Sequence, residues 1–188
     1  MDDATTFILN RSQAKAKILI DANVINYAQN AYDATGIHLL DYLDKLNGTV
    51  DWFVSSCVAA ELYNAGILPG LLRNILPCNN PRTKMQHFPF QKEDGSGGLL
   101  KLNRLAGDDW SQINLAYHYP DLIIVTNDSR MFKSAHAVLQ GRAMAFHEFL
   151  NQLSPYWFYD RQWLKLKTWF ADNVNPLRNN SSWILPEK

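Results

Sequence analysis

The stretch Lys17-Ile-Leu-Ile-Asp21-Ala-Asn23 carries a short apolar run that ends at a carboxylate. A second stretch of the same kind, Leu122-Ile-Ile-Val-Thr126, leads into Asn127 and Asp128. Runs this short and this apolar are typical of strands buried on both faces of a parallel sheet, and such sheets bind ligands beyond the carboxyl ends of their strands. We therefore expect Asp21 and Asp128 to converge at one edge of the sheet.

Two further carboxylates occupy comparable places. Glu61 follows the run Phe53-Val-Ser-Ser56 inside a predicted helix, and Asp109 follows Gly107 at the start of another. Converging carboxylates repel one another and are costly to desolvate, so a fold that gathers them normally supplies a cation. Ligand sets made only of oxygen favour Mg²⁺ or Mn²⁺. The sequence therefore predicts a Mg²⁺ or Mn²⁺ site.

Strand-like and helical patterns alternate along the chain. This alternation predicts an α/β sandwich with a mostly parallel central sheet. The predicted strands cover residues 17–21, 52–55, 122–126 and 143–146. A loop and a first helix are expected up to about residue 33, and the further predicted helices cover residues 37–46, 56–65, 71–76, 108–118, 129–139 and 148–153.

The domain organisation follows from length and composition. A chain of 188 residues with 47% hydrophobic composition can bury one good core, so we expect one domain. We assign residues 1–16 to an N-terminal arm, 17–153 to the main domain and 154–188 to a C-terminal extension rich in aromatic residues. Residues 77–98 are polar and carry proline and glycine, which predicts a long loop or insertion.

The C-terminal extension allows two interpretations. Its aromatic side chains are interleaved with Arg161, Lys165 and Lys167, a pattern that can stack on unpaired nucleotides. Alternatively, an apolar helix face packs on the domain or on a second copy of the chain, and we favour this because clustered aromatics dominate packing. That face would consist of Trp163, Leu166 and Phe170.

Charge and cysteine content narrow the class of protein. The formal net charge is zero, with 18 basic and 18 acidic residues, which disfavours a broad grip on nucleic acid phosphates. The two cysteines, Cys57 and Cys78, have no metal-binding spacing and predict reduced thiols in a cytoplasmic protein. Residues 1–15 lack the basic start and the apolar run of a signal peptide, and no apolar run approaches the length of a bilayer span, so we expect neither feature.

Four fragments, in this order and at these spacings, resemble the PIN-domain nuclease family. They cover roughly residues 17–150, and the C-terminal extension lies outside the match. The fragments are Ile18-Leu-Ile-Asp21-Ala-Asn23-Val-Ile25, Val54-Ser-Ser-Cys-Val-Ala-Ala-Glu61-Leu-Tyr63, Gly107-Asp-Asp-Trp-Ser-Gln-Ile-Asn-Leu-Ala116 and Ile124-Val-Thr-Asn-Asp128-Ser-Arg-Met-Phe132.

The resemblance implies a three-layer α/β/α sandwich and a metal-dependent active site. Asp21 would be the central metal ligand, and Asp109 and Asp128 would complete the main site. Glu61 would bind a second ion or orient the attacking water. The adjacent Asp108 keeps the third position open. Helical spacing favours Asp109, which lies four residues before an apolar position of the helix, and makes Asp108 the better N-cap.

Residues next to the acids are candidates for supporting roles. Small polar side chains can fix the rotamers of metal-binding carboxylates through hydrogen bonds, and basic side chains at the rim can meet substrate phosphates. The candidates of the first kind are Asn23, Thr126, Asn127 and Ser129, and those of the second kind are Arg130 and Lys133.

The resemblance implies an endoribonuclease that uses Mg²⁺ or Mn²⁺ and leaves a 5′-phosphate. Many small members of the family are VapC-like toxins, so the expected partners are an RNA substrate, an antitoxin protein and a second copy of the chain. The alternative is a PIN fold that binds RNA or protein without cleaving, which would not require all four acids. A nuclease acting on structured DNA is disfavoured by the neutral net charge.

Overall fold

The computed structural model describes residues 15–66, 74–77, 87–91, 97–101 and 107–177. Seven strands lie in these ranges: β1 Ala16–Ile20, β2 Val50–Ser55, β3 Asn74–Leu76, β4 His87–Gln91, β5 Gly97–Lys101, β6 Leu122–Thr126 and β7 Ala143–Ala145. Five of them form one sheet in the spatial order β3-β2-β1-β6-β7, and all its neighbouring strands are parallel. Strands β4 and β5 form a separate antiparallel pair.

Helices follow most of the strands. They are α1 Ala22–Thr35, α2 Leu39–Asp44, α3 Ser56–Asn64, α4 Gly107–His118, α5 Ser129–Val138, α6 Phe146–Leu153 and α7 Arg161–Asn173, with a 3₁₀ turn at Ser154–Trp157. None of the described helices is long and apolar enough to cross a membrane.

The central sheet separates two hydrophobic cores. Side chains alternate along β1, so that Ile18 and Ile20 enter one core while Leu19 enters the other. The first core packs against α1, α2, α3, α6 and α7, and the second packs against α4 and α5. The predicted fold class, an α/β/α sandwich with a parallel central sheet, is therefore confirmed.

The strand order reverses between β1 and β6. The chain runs outward from β1 to β2 and β3, whereas β6 and β7 lie on the other side of β1. The pairing of β1 with β6 matches Ile20 with Val125, so both strands end at the same level, and the Asp21 amide donates to the Val125 carbonyl at 3.1 Å. A reversal point of this kind is where open α/β sheets form ligand-binding crevices.

One local prediction needs correction. A helix was expected at residues 71–76, but Asn74–Leu76 is strand β3, whose parallel partner is β2. A short apolar run is compatible with both periodicities, and pairing with the exposed edge of β2 decides between them. The expected long loop or insertion at residues 77–98 includes β4 and the start of β5. Of the expected N-terminal arm, residues 1–14 lie outside the described ranges, and Ala16 already belongs to β1.

The C-terminal helix packs onto the domain. Trp163, Leu166 and Phe170 are buried in the same core as α1 and α2, and the rings of Trp163 and Tyr42 lie 5.1 Å apart between centroids. This arrangement confirms the packing interpretation for these three side chains. Residues 178–188 lie outside the described ranges.

Candidate active site

Asp21 is the most buried acid at the carboxyl edge of the sheet, with 5% of its surface exposed. It directly follows β1 and is the N-cap of α1, so its Oδ1 accepts a hydrogen bond from the Ala22 amide at 2.8 Å. Oδ1 also accepts from Gln112 Nε2 at 3.1 Å. Oδ2 accepts from Asn23 Nδ2 at 2.5 Å and from the Thr126 hydroxyl at 2.7 Å. Four donors therefore hold one buried carboxylate.

Thr126 joins the two strand ends that carry the acids. It is fully buried at the end of β6, and besides donating to Asp21 its Oγ1 accepts from Asn23 Nδ2 at 3.1 Å and from the Asp128 amide at 3.0 Å. Asn23 in turn accepts from the Asn127 amide through Oδ1 at 3.0 Å. The predicted supporting roles of Asn23 and Thr126 thus agree with direct contacts to Asp21.

Asp128 is the N-cap of α5, as Asp21 is the N-cap of α1. Its Oδ1 accepts from the Arg130 and Met131 amides at 2.8 and 2.7 Å, which is the N-cap geometry. Within the described residues no donor is bonded to Oδ2. Asp128 is exposed, and its negative charge is one of the causes that raise the pKa of Asp21. The charges of the two acids therefore interact across the site.

Burial dominates the electrostatics of Asp21. Loss of hydration raises the pKa of this carboxyl above its ordinary value, although the hydrogen bonds from Thr126, Gln112 and Ala22 act in the opposite direction. A buried carboxylate whose charge is disfavoured in this way gains from a nearby cation.

Glu61 belongs to the same electrostatic group. It is exposed on α3. Its pKa is raised mainly by partial loss of hydration and, to a smaller extent, by the negative charges of Asp21 and Asp108. Helix α4 begins at Gly107, so Asp108 and Asp109 both lie in its first turn and Asp108 is not the N-cap that was expected. The electrostatics thus favour Asp108 as the third acid, whereas helical spacing favours the half-buried Asp109, and the assignment stays a prediction.

Gln112 is a functional candidate that the sequence did not reveal. It lies one helical turn after Asp108 on α4, with 1% of its surface exposed, and its amide nitrogen contacts Asp21. Its Oε1 is buried and has no hydrogen-bond partner in the described ranges. The signal available in the sequence was its spacing of four residues from Asp108, which puts both side chains on one helix face.

The remaining predicted residues contact the acids less directly. The Asn127 side chain turns away and donates to the Asn175 carbonyl at 3.2 Å, so only its main chain touches the site. The exposed Ser129 makes no hydrogen bond to an acid among the described residues. Arg130 is exposed and Lys133 half-buried on α5, directly after Asp128. Their expected contact with substrate phosphates stays a prediction.

The donor set fits a hard divalent cation in its chemistry. Its charged donors are all carboxylate oxygens, and no Lys, Arg or His in the described part of the chain forms an ion pair with Asp21, Glu61, Asp108 or Asp128. Their geometry is more open than a finished site, because no three His, Cys, Asp or Glu side chains of the described residues are gathered closely enough to hold a metal ion. Coordination would therefore require these side chains to move closer together.

No protein-family model and no curated protein matches the chain. Among solved structures, the chain matches the structure of the PIN domain endonuclease Utp24, at 19% sequence identity and a TM-score of 0.38, over 63% of this chain and 75% of that chain. A likeness this distant does not extend to activity, substrate or site residues. The chain's own geometry gives the site: a buried aspartate held by four donors, with further acids beside it.

Proposed function

We propose that the chain is a PIN-like, metal-dependent endoribonuclease. The observation that carries this proposal is the buried Asp21 carboxylate, which lies where the strand order reverses and beside further acids whose negative charges act on the same site. Purely structural roles do not call for such a cluster, because each added negative charge raises the cost of burying Asp21. A divalent cation would turn this repulsion into binding.

Each acid would have its own role in binding the metal. Asp21 would be the central ligand, Asp128 would contribute through Oδ2, and Asp108 or Asp109 would supply the third carboxylate. Glu61, with its raised pKa, would orient the attacking water or bind a second ion. Bound Mg²⁺ or Mn²⁺ lowers the pKa of water and stabilises the charge that develops during phosphodiester hydrolysis. The product end would be a 5′-phosphate.

The substrate would be single-stranded or loop RNA. The neutral net charge argues against a wide phosphate grip, so contact would be local. Among the described residues, Arg130 and Lys133 lie on the first turns of α5 next to Asp128 and would meet the phosphates that flank the cut.

A protein partner would bind elsewhere on the molecule. The segment after α6 exposes several aromatic side chains, including Phe158 at 67% and Tyr159 at 91%. Exposed aromatics of this kind suit an interface with an antitoxin, if the chain is the toxin of a toxin–antitoxin pair, or with a second copy.

The alternative is a PIN-like module that binds RNA or protein without cleaving it. The two functions differ in their need for the acids, because binding alone requires no buried, uncompensated carboxylate. The Asp21 cluster favours catalysis over this alternative.

Cleavage of labelled RNA tests the proposal. Single-stranded RNA, structured RNA and DNA are incubated with Mg²⁺, with Mn²⁺ or with EDTA, using the wild type, Asp21→Asn and a control, Asp33→Asn, at the other end of α1. We expect metal-dependent cutting of RNA that falls about 100-fold or more in Asp21→Asn, the scale of a lost electrostatic group in catalysis. The control should cut like the wild type. Equal RNA binding by all three proteins without cutting would favour the non-catalytic module.

A further inference from the structure

Gln112 combines burial with an unused oxygen. Its side chain is 1% exposed, its Nε2 donates to Asp21 Oδ1 at 3.1 Å, and its Oε1 has no partner among the described residues. Buried amide oxygens are normally hydrogen-bonded, so an orphan beside the most buried acid calls for an explanation.

The carboxylate of Asp21 is saturated as it stands. A carboxylate offers about four acceptor sites, and four donors occupy them. A cation therefore needs one donor to leave. The bond from Gln112 is the longest of the four, and the terminal torsion of a glutamine is soft, whereas the Ala22 donor belongs to the main chain and is fixed.

Rotation of the Gln112 amide exchanges its nitrogen and oxygen. Oε1 would then lie where Nε2 now lies, 3.1 Å from Asp21 Oδ1. Neighbouring oxygens around an octahedral Mg²⁺ at 2.0–2.1 Å are about 3 Å apart. The two oxygens would thus have the separation of adjacent ligands of one ion.

We propose that Gln112 is a neutral metal ligand that exchanges roles. Without metal its amide nitrogen restrains Asp21, and with metal its carbonyl oxygen joins Asp21 on the cation. A neutral oxygen adds a ligand without adding negative charge to a site where Asp128 and Glu61 already repel Asp21, and where Asp108 repels Glu61. This inference rests on the metal site of the proposed function.

Two substitutions separate a ligand from a mere donor. Gln112→Leu removes both the donor and the oxygen, whereas Gln112→Glu removes the donor but keeps an oxygen. The matched control is Gln152→Leu, because Gln152 on α6 is also a buried glutamine, 7% exposed, whose Oε1 has no partner in the described part of the chain. The affinity for Mn²⁺ is measured by titration calorimetry, independently of cleavage.

We expect Gln112→Leu to bind Mn²⁺ about 10- to 100-fold more weakly than the wild type, the range found when a residue that supports a metal site is lost. Gln112→Glu should bind at least as tightly as the wild type, and Gln152→Leu should be unchanged. Equal affinity in Gln112→Leu and the wild type would overturn the inference and leave the metal site standing. Weakening in both Gln112 variants would also overturn it, because it would assign Gln112 the role of donor alone.

The side-chain amide of Gln112 gives a readout on the wild type, should Gln112→Leu fail to fold. In an amide NMR spectrum its signal is identified by its absence in Gln112→Glu. On addition of Mg²⁺ we expect the signal of the Gln112 amide proton that is hydrogen-bonded to Asp21 to shift upfield, because that hydrogen bond is lost. The signals of the Gln152 side-chain amide should not shift. An unshifted Gln112 amide in metal-loaded protein would contradict the inference. A wild type that binds neither ion would overturn both this inference and the proposed metal site.

Discussion

Thr126 shows how one hydroxyl can organise several functional groups. It donates to Asp21 and accepts from Asn23 and Asp128, so Thr126→Val leaves three polar partners without it. We expect unfolding in urea to show a loss of about 1–3 kcal/mol, the cost of unsatisfied buried groups. We also expect Mn²⁺ affinity to fall about 10- to 100-fold.

Thr126→Ser is the control for that substitution. It keeps the hydroxyl and deletes one buried methyl group, which costs about 1 kcal/mol in a core. Its Mn²⁺ affinity should stay close to that of the wild type. A serine variant that loses as much affinity as the valine variant would mean that packing, and not the hydroxyl, holds the site.

Residues close to the strand ends could be predicted from the sequence, and more distant ones could not. Asn23 and Thr126 stand beside acids in the chain, so their contacts with Asp21 follow once β1 and β6 are neighbours. Gln112 is distant in sequence from Asp21 and carries no charge, so its spacing of four residues from Asp108 is the one weak signal that marks it. The choice between Asp108 and Asp109 depends on how α4 is rotated about its axis, because that rotation decides which of the two side chains faces Asp21. The residues of a single helical turn do not determine this rotation.

Asp128 serves both its helix and the site, and the two roles can be separated. Asparagine caps helices as well as aspartate does, so Asp128→Asn keeps the start of α5 while removing a charge that disfavours Asp21. We expect its free energy of unfolding in urea to lie within about 0.5 kcal/mol of the wild type or above it. RNA cleavage should nevertheless fall about 100-fold.

Asp128→Ala provides the comparison. It removes the cap together with the charge, and we expect a loss of about 1 kcal/mol in the same measurement. Equal cleavage by Asp128→Asn and the wild type would remove Asp128 from the metal site.

A pH-dependent hydrogen bond links α2 to the N-cap residue of helix α7. Tyr42 donates to Asp160 at 3.1 Å, and burial, followed by the nearby Asp160, raises the pKa of Tyr42 to about 12. The folded pKa lies above the ordinary value of 10.0, so this contribution is complete below pH 10 and is lost as the pH rises toward 12. Thermal unfolding should therefore find the wild type more stable than Tyr42→Phe at pH 8, with the difference shrinking at higher pH.

The acid side of the same pair has the opposite sign. The hydrogen bond from the Trp163 amide, with smaller help from Gln162 and Tyr42, lowers the pKa of Asp160 below 3.8. Its contribution is present above pH 3.8 and is lost as the pH falls through the lowered value.

A constant difference between the wild type and Tyr42→Phe from pH 8 to pH 11 would contradict the assignment of the alkaline change to Tyr42.

Elements with a strong and long pattern could be predicted, and those defined by a neighbour could not. Strand β6 is apolar throughout and α7 has one clear apolar face, so both follow from periodicity. Strand β3 has three residues, and only its pairing with β2 makes it a strand. The antiparallel pair of β4 and β5 is likewise defined by the pairing of its two strands.

For the whole molecule, repulsion among the clustered acids lowers the stability of the folded state, and a bound ion would reverse this effect. A ligand that binds only the folded state stabilises it, by about 2.7 kcal/mol at 100 times its Kd. For a domain of this size that corresponds to a rise in Tm of about 5–10 °C. We expect Mn²⁺ to raise the Tm of the wild type and of Asp33→Asn by this amount, and to leave Asp21→Asn unchanged in differential scanning calorimetry. If the Tm of Asp21→Asn rose as much as that of the wild type, the ion would bind away from Asp21, and the stabilising site would have to be sought elsewhere on the chain.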